Sequence, residues 1–429
     1  MKRLLILLVS VQLLLASCSP VSKKQLSKRF IETENQFRDH TGFMLYDPEK
    51  KKTLYQYNSD RYFTPASNTK IFTLFASLNI IGDSIPALHY SESGDSVIFW
   101  GTGDPSFLYE NVFDNRRVFN FLSSIRGNLY YLSPKYFTTH FGPGWSWEDY
   151  NFTFSSERSP FPVFGNTFKI RKINNELKVT PSYFKTFVSV GDTLERSNAD
   201  RSPISNNVYY FPGRDTTSKW TRPFITDSSL VARLLSDTLK RVVKPISNGS
   251  NNSFKTIYSI PSDSLYKVMM QESDNFIAEQ LLIVCASVLG DTLKPEGPIN
   301  YVTKNYLQDL PDKVVWRDGS GLSRYNLFTP RSVVKVWDKI YDMIPRERLF
   351  KIVAIGGVAG TIKNSYKADK PYIFGKTGSL SNVHCLSGYL ITKKGKTLIF
   401  SFMNTNFTAP IREIRNRMEE ILTLIRDNN

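Results

Sequence analysis

Ser67 and Lys70 are spaced so that a hydroxyl and an amine share one face of a helix. They fall in Phe63-Thr64-Pro65-Ala66-Ser67-Asn68-Thr69-Lys70, which opens with turn chemistry and continues as an apolar run to Leu78. Pro65 biases Thr64 away from α geometry, so a helix is predicted to begin at or just after Ala66. Ser67 then lies in the first turn, where free N–H groups and the macrodipole favour negative charge. Burial lowers a lysine's pKa, and a neutral Lys70 can take the proton of Ser67. The pair is a candidate nucleophile and base. The spacing recurs at Ser182/Lys185, Ser264/Lys267 and Ser332/Lys335, where a capping serine and a solvated lysine explain it equally well.

Two other elements separate Ser67 from those decoys. Ser273-Asp274-Asn275 lies between two helical stretches, a place from which polar side chains can point into a cleft. Lys376-Thr377-Gly378 opens a strand, and Gly378 lets another backbone approach closely. Ser-x-Asn also occurs at Ser205/Asn207 and Ser250/Asn252, but Lys-Thr-Gly occurs only once. Order and context carry the argument: helix start, inter-helix turn, then strand.

The elements that must position these groups belong to a chain of 429 residues, long enough for two or three domains with sizeable cores. With 41% apolar residues and no low-complexity tract, the composition is that of a globular protein. Formal net charge is +16, which suits acidic ligands or an anionic membrane surface. No stripe of Lys and Arg interleaved with aromatics supports a nucleic-acid partner. Three cysteines, Cys18, Cys285 and Cys385, exclude a disulfide framework, and the latter two read as core residues. The four histidines show no metal-ligand spacing, so neither metal nor cofactor is expected, and the chemistry is expected to run without histidine.

Met1 to Cys18 reads as an export signal, with Lys2 and Arg3 ahead of an apolar core too short to span a bilayer. Leu15-Ala16-Ser17-Cys18 resembles the lipobox of bacterial lipoproteins, which implies lipid on Cys18 and anchorage facing the periplasm. Ser19 in place of Asp suggests the outer membrane. Beyond the leader (1–17), helix and strands at 18–83 and helices and strands at 225–429 bracket a stretch of short strands and turns at 84–224. The expected fold is α+β: an antiparallel sheet with terminal helices, an all-helical subdomain, and a β-rich inserted domain.

Ser-x-x-Lys, Ser-Asp-Asn and Lys-Thr-Gly in this order resemble the active-site-serine penicillin-recognising enzymes, whose fold is β-lactamase/transpeptidase-like. Asp318-Gly319-Ser320-Gly321-Leu322-Ser323-Arg324, Gly101-Thr102-Gly103-Asp104-Pro105 and the large insert are similar to the penicillin-binding protein 4 type of D-alanyl-D-alanine carboxypeptidase/endopeptidase, the S13 peptidases. Similarity spans roughly residues 25 to 425, with a shorter interval from Ser67 to Ser273 than in larger relatives, which points to one compact inserted domain. The resemblance implies Ser67 as nucleophile, Lys70 as its base, and Ser273 linked to Lys376 as the route of a proton to the leaving amine. It implies Asn275 for the substrate amide, Thr377 for its terminal carboxylate, the N–H groups of Ser67 and Ser379 for the oxyanion, and Gly378 as the close contact between them. Arg324, Asp149 and Phe154 are implied to grip a diaminopimelate side chain. Expected partners are peptidoglycan stem peptides and β-lactams. A β-lactamase-like hydrolase and a catalytically silent peptidoglycan-binding lipoprotein are the alternatives.

Overall fold

The computed structural model describes residues 22–109, 112–113, 115–133, 139–248, 253–290 and 292–429. Cys18 and the leader lie outside the described residues. Helix α1 (Lys23–Phe37) starts where Ser22 Oγ accepts from Gln25 N, and it leads into strands β1 (His40–Asp47) and β2 (Lys52–Tyr57). A single 3-10 turn over Ala66–Asn68 then precedes α2 (Thr69–Ile80).

The inserted part begins with β3 (Ser84–Ser93), β4 (Ser96–Gly101), α3 (Arg117–Ser124) and β5 (Asn128–Leu132). It continues with β6 (Thr167–Ile173), β7 (Glu176–Thr180), β8 (Val188–Val190), β9 (Asn198–Arg201), β10 (Val208–Phe211) and β11 (Ser218–Pro223). Helix α4 (Ser228–Leu239), β12 (Val243–Ile246) and β13 (Lys255–Pro261) follow. Its largest sheet has the order β12-β5-β4-β3-β13, beside two three-stranded sheets, β11-β6-β7 and β8-β10-β9. Leu230, Leu234 and Leu235 of α4 share one core with Leu88, Phe99, Phe168 and Tyr210. The insert's sheet and core therefore run on to Pro261, past the sequence-based limit at residue 224. The helical periodicity of α4 carries no mark of which core it serves, and β12 and β13 are strands only by virtue of their neighbours.

The helical layer is α5 (Ser262–Gln271), α6 (Asn275–Val288), α7 (Glu296–Tyr306), α8 (Pro330–Met343) and α9 (Arg346–Ile352). The chain then adds β14 (Ala354–Ile355), β15 (Ile373–Leu380), β16 (Val383–Ile391), β17 (Thr397–Thr405) and α10 (Ile411–Asn428). These strands complete an antiparallel sheet of order β14-β15-β16-β17-β1-β2. Strand alternation splits its side chains between two cores. Leu398, Phe400 and Phe402 meet Phe30 of α1 and Met418 of α10, while Ile399 and Met403 meet α2, α6 and α8. That is the β-lactamase/transpeptidase-like arrangement: a sheet backed by the terminal helices and faced by a helical layer.

Candidate active site

The turn ahead of α2 is fixed from three sides. Ala66 takes a positive φ of 47°, and its carbonyl abuts Gly321, where a Cβ would lie 1.9 Å from Ala66 O. Buried Asn68 donates to Lys376 O at 3.1 Å and accepts from Ser387 Oγ at 2.6 Å, and Ser387 in turn accepts from Trp337 Nε1 at 2.9 Å. Strand β15 comes close because residue 378 is glycine: a Cβ there would lie 2.5 Å from Pro65 O and 2.9 Å from Ser67 N. The nucleophile turn and the Lys-Thr-Gly strand are thus in direct backbone contact.

Lys70, wholly buried, donates to Ser67 Oγ at 3.0 Å, Asn275 Oδ1 at 2.6 Å and Ser320 O at 2.7 Å. Asp274 caps α6 by accepting from Ile277 N at 2.8 Å, and this cap presents Asn275 at the first helical position. Ser273 holds a φ of 61° in the turn before the cap, and its Oγ accepts from Lys376 Nζ at 2.8 Å. The structure therefore brings Ser67, Lys70, Ser273, Asn275 and Lys376 together. The decoy pair Ser332/Lys335 is engaged elsewhere: Ser332 Oγ is hydrogen-bonded to Thr329, and Lys335 pairs with Asp309.

Burial lowers the Lys70 ammonium to about 8, with Asp318, Glu279 and Asp274 pulling it back up. Burial, joined by the charge of Lys70, holds Lys376 well below its ordinary range. Of the carboxyl groups acting on Lys70, Asp274 and Asp318 lie in motifs quoted from the sequence with no role given to them, and Glu279 lies in none. Asp318 accepts from Gly321 N, Ser323 N and Trp145 Nε1, while Glu279 accepts from Ser320 N at 2.7 Å. Burial and the charge of Asp318 push Glu279 up to about 7, against Arg158. An acid followed by Gly-Ser-Gly signals Asp318, whereas Glu279 lies inside an apolar helix and carries no local signal.

A cleft of about 300 Å³ opens from Ser67 past Ser273, Thr377 and Ser379 to His384 and Arg415. Thr377 Oγ1 contacts Thr361 Oγ1 at 2.7 Å, and Ser379 Oγ lies 2.8 Å from His384 Nδ1. A histidine therefore lines the cleft, although the sequence predicts chemistry without one. On the other side, Asn275 Nδ2 donates to Phe154 O at 3.1 Å, which brings the insert over the reactive centre. Burial raises Asp149 above its ordinary value, with the charge of exposed Arg324 pulling the other way. Cys285 and Cys385 are buried free thiols, each pushed up to about 12 by burial. No group of His, Cys, Asp and Glu able to hold a metal occurs among the described residues.

An apolar helix that delivers a serine and a desolvated lysine against the edge of such a sheet defines a class, the active-site-serine hydrolases of the β-lactamase/transpeptidase-like fold. Comparison gives the family. The model of the D-Ala-D-Ala carboxypeptidase 3 (S13) family matches residues 23–202 and 241–425, and the chain belongs to that family. It is 24% identical to D-alanyl-D-alanine carboxypeptidase DacB of Haemophilus influenzae, over 96% of this chain and 94% of the relative. The crystal structure of penicillin-binding protein 4 from the same organism superposes with a TM-score of 0.71 at 20% identity, covering 91% of this chain and 95% of that one. A predatory peptidoglycan endopeptidase of Bdellovibrio bacteriovorus superposes at 0.50 with 16% identity, over 90% and 93%.

Proposed function

We propose that this protein is a serine DD-peptidase that cleaves peptidoglycan stem peptides between two D-residues through an acyl-enzyme on Ser67, and that penicillin acylates the same oxygen. The observation that carries the proposal is Lys70 Nζ, desolvated and 3.0 Å from Ser67 Oγ. Lys70 accepts the proton of Ser67 as Oγ attacks the carbonyl carbon. The developing oxyanion is met by the N–H groups of Ser67 and Ser379, fixed before reaction by the contact at Gly378. As the tetrahedral intermediate collapses, Ser273, held by Lys376, passes a proton to the departing amine. Water then hydrolyses the ester by the reverse route. Asn275 joins Lys70 to the insert and holds the substrate amide, and Thr377 faces its terminal carboxylate.

The side chain of the preceding residue lies toward the insert. Diaminopimelate ends in both a carboxylate and an ammonium, which Arg324 and Asp149 complement, and the exposed ring of Phe154 is the aromatic assigned to the same subsite. A lysine side chain would leave Arg324 unpaired, so diaminopimelate peptides are the preferred substrate class. Lipid on Cys18 and a periplasmic outer-membrane location are part of the same proposal, supported by Leu15-Ala16-Ser17-Cys18 after a short apolar core. Mass spectrometry of the membrane-extracted protein should find Cys18 acylated, and an unmodified N-terminus elsewhere rejects this. The function is tested by D-alanine release from a D-Ala-D-Ala peptide together with labelled penicillin. Release with stable labelling is expected. Rapid turnover of the label without peptide cleavage would mean a β-lactamase, and neither activity would mean a silent binder.

A further inference from the structure

A DD-carboxypeptidase must draw a free carboxylate out of water, and a buried carboxylate is costly unless a cation meets it. Few cations face this cleft. Lys70 is committed to Ser67, Asn275 and Ser320, while Lys376 is committed to Ser273 Oγ and Thr377 O. Arg324 is not among the residues that line this cleft, and its charge acts on Asp149. At the far end of the cleft, beyond Thr377 and Ser379, the remaining cation lining it is Arg415, carried there by α10. Among the described residues its side chain makes no hydrogen bond or ion pair. The acid one turn further on, Glu419, is engaged instead with Tyr366 N at 2.7 Å.

We infer that Arg415 takes the free α-carboxylate of the departing D-residue, and so makes the C-terminal helix a determinant of substrate specificity. The inference rests on the DD-peptidase reading and extends it to a residue outside all three motifs. His384 supports the same end of the cleft. Burial, with the charge of Arg415, holds its imidazole down at about 3, so it stays neutral beside the guanidinium. With its proton on Nδ1, His384 donates to Ser379 Oγ at 2.8 Å and leaves the serine O–H for the carboxylate. Arg415 supplies the permanent charge and a planar pair of donors, a shape matched to a carboxylate.

The test compares one stem peptide ending in D-Ala-D-Ala as the free acid and as the C-terminal amide. Wild type is expected to favour the acid in kcat/KM by roughly 10- to 100-fold, the range for a hydrogen bond to a charged group. Arg415→Gln should lose that preference by slowing on the acid alone, and Arg415→Lys should restore part of it. The arginine is exposed, so melting should not change. A retained preference in Arg415→Gln, or an equal loss on both peptides, overturns the inference. Wild type that cleaves neither peptide and takes no penicillin overturns the DD-peptidase reading instead, and this inference with it.

Discussion

The two walls of the cleft are built differently. On the catalytic body, Lys70 and Lys376 are wholly buried, and each is held by a hydroxyl and a main-chain carbonyl. On the insert side, Trp147, Phe152 and Phe154 remain 75%, 47% and 43% exposed. Tyr325, in the loop that meets Gly144, is 60% exposed. Groups proposed to act on a transition state are thus fixed by burial and hydrogen bonds, whereas the rings on the insert side stay open to solvent. A buried ion pair is among the links that join the walls. Arg158 of the insert reaches Glu279 of α6 at 3.7 Å and stacks over Trp145, whose Nε1 donates to Asp318. Glu279 and Asp318 are two of the three acids acting on Lys70, so the insert reaches the base electrostatically.

Substitutions on the two walls should differ widely in the size of their effects. Lys70→Met removes the base and should slow acylation by penicillin roughly 10²- to 10⁴-fold, measured by stopped-flow labelling. The fold should persist, because methionine fills most of the same volume. Arg158→Met leaves Glu279 buried without its cation and should destabilise the protein by about 3–5 kcal/mol, read by denaturant unfolding. Arg158→Met/Glu279→Gln should recover much of that loss. If the single and double variants are equally unstable, the link is not an ionic one.

The pH profile sharpens the same point. Lys70 acts as base only when neutral, so the acylation rate of wild type should rise through about pH 8. Its folded pKa lies below that of the unfolded chain, which therefore binds more protons between about pH 8 and 10.5, and this group's contribution to stability rises with pH in that window. Glu279→Gln removes an anion facing Lys70, so the midpoint should move to lower pH. A profile that does not move separates Glu279 from the base. The smallest effect is expected at the exposed wall: Arg324→Ala should lose about 1–3 kcal/mol of transition-state binding for diaminopimelate peptides. Penicillin acylation should change little, and kcat/KM on diaminopimelate- and lysine-type peptides measures both.

Sequence legibility follows the same division. Helix α2 (Thr69–Ile80) stands close to its expected bounds, because Pro65 and the apolar run to Leu78 mark it. Ser67, Lys70, Ser273, Asn275 and Lys376 were readable because each lies where turn or strand chemistry marks it. Glu279 and Asn68 carry no local signal, since each finds its partner far away in sequence, at Ser320 and Lys376. The turn ahead of α2 shows the limit well. Pro65 marks a helix start, but the positive φ at Ala66 is imposed by packing against Gly321.

One oxygen, Ser67 Oγ, is proposed as the nucleophile. Penicillin-treated protein should be digested and the adduct mapped by tandem mass spectrometry, alongside Ser67→Ala. The account requires a single adduct on Ser67 and no labelling of a variant that melts like wild type. An adduct on Ser182, Ser264 or Ser332, or undiminished labelling of Ser67→Ala, would contradict it.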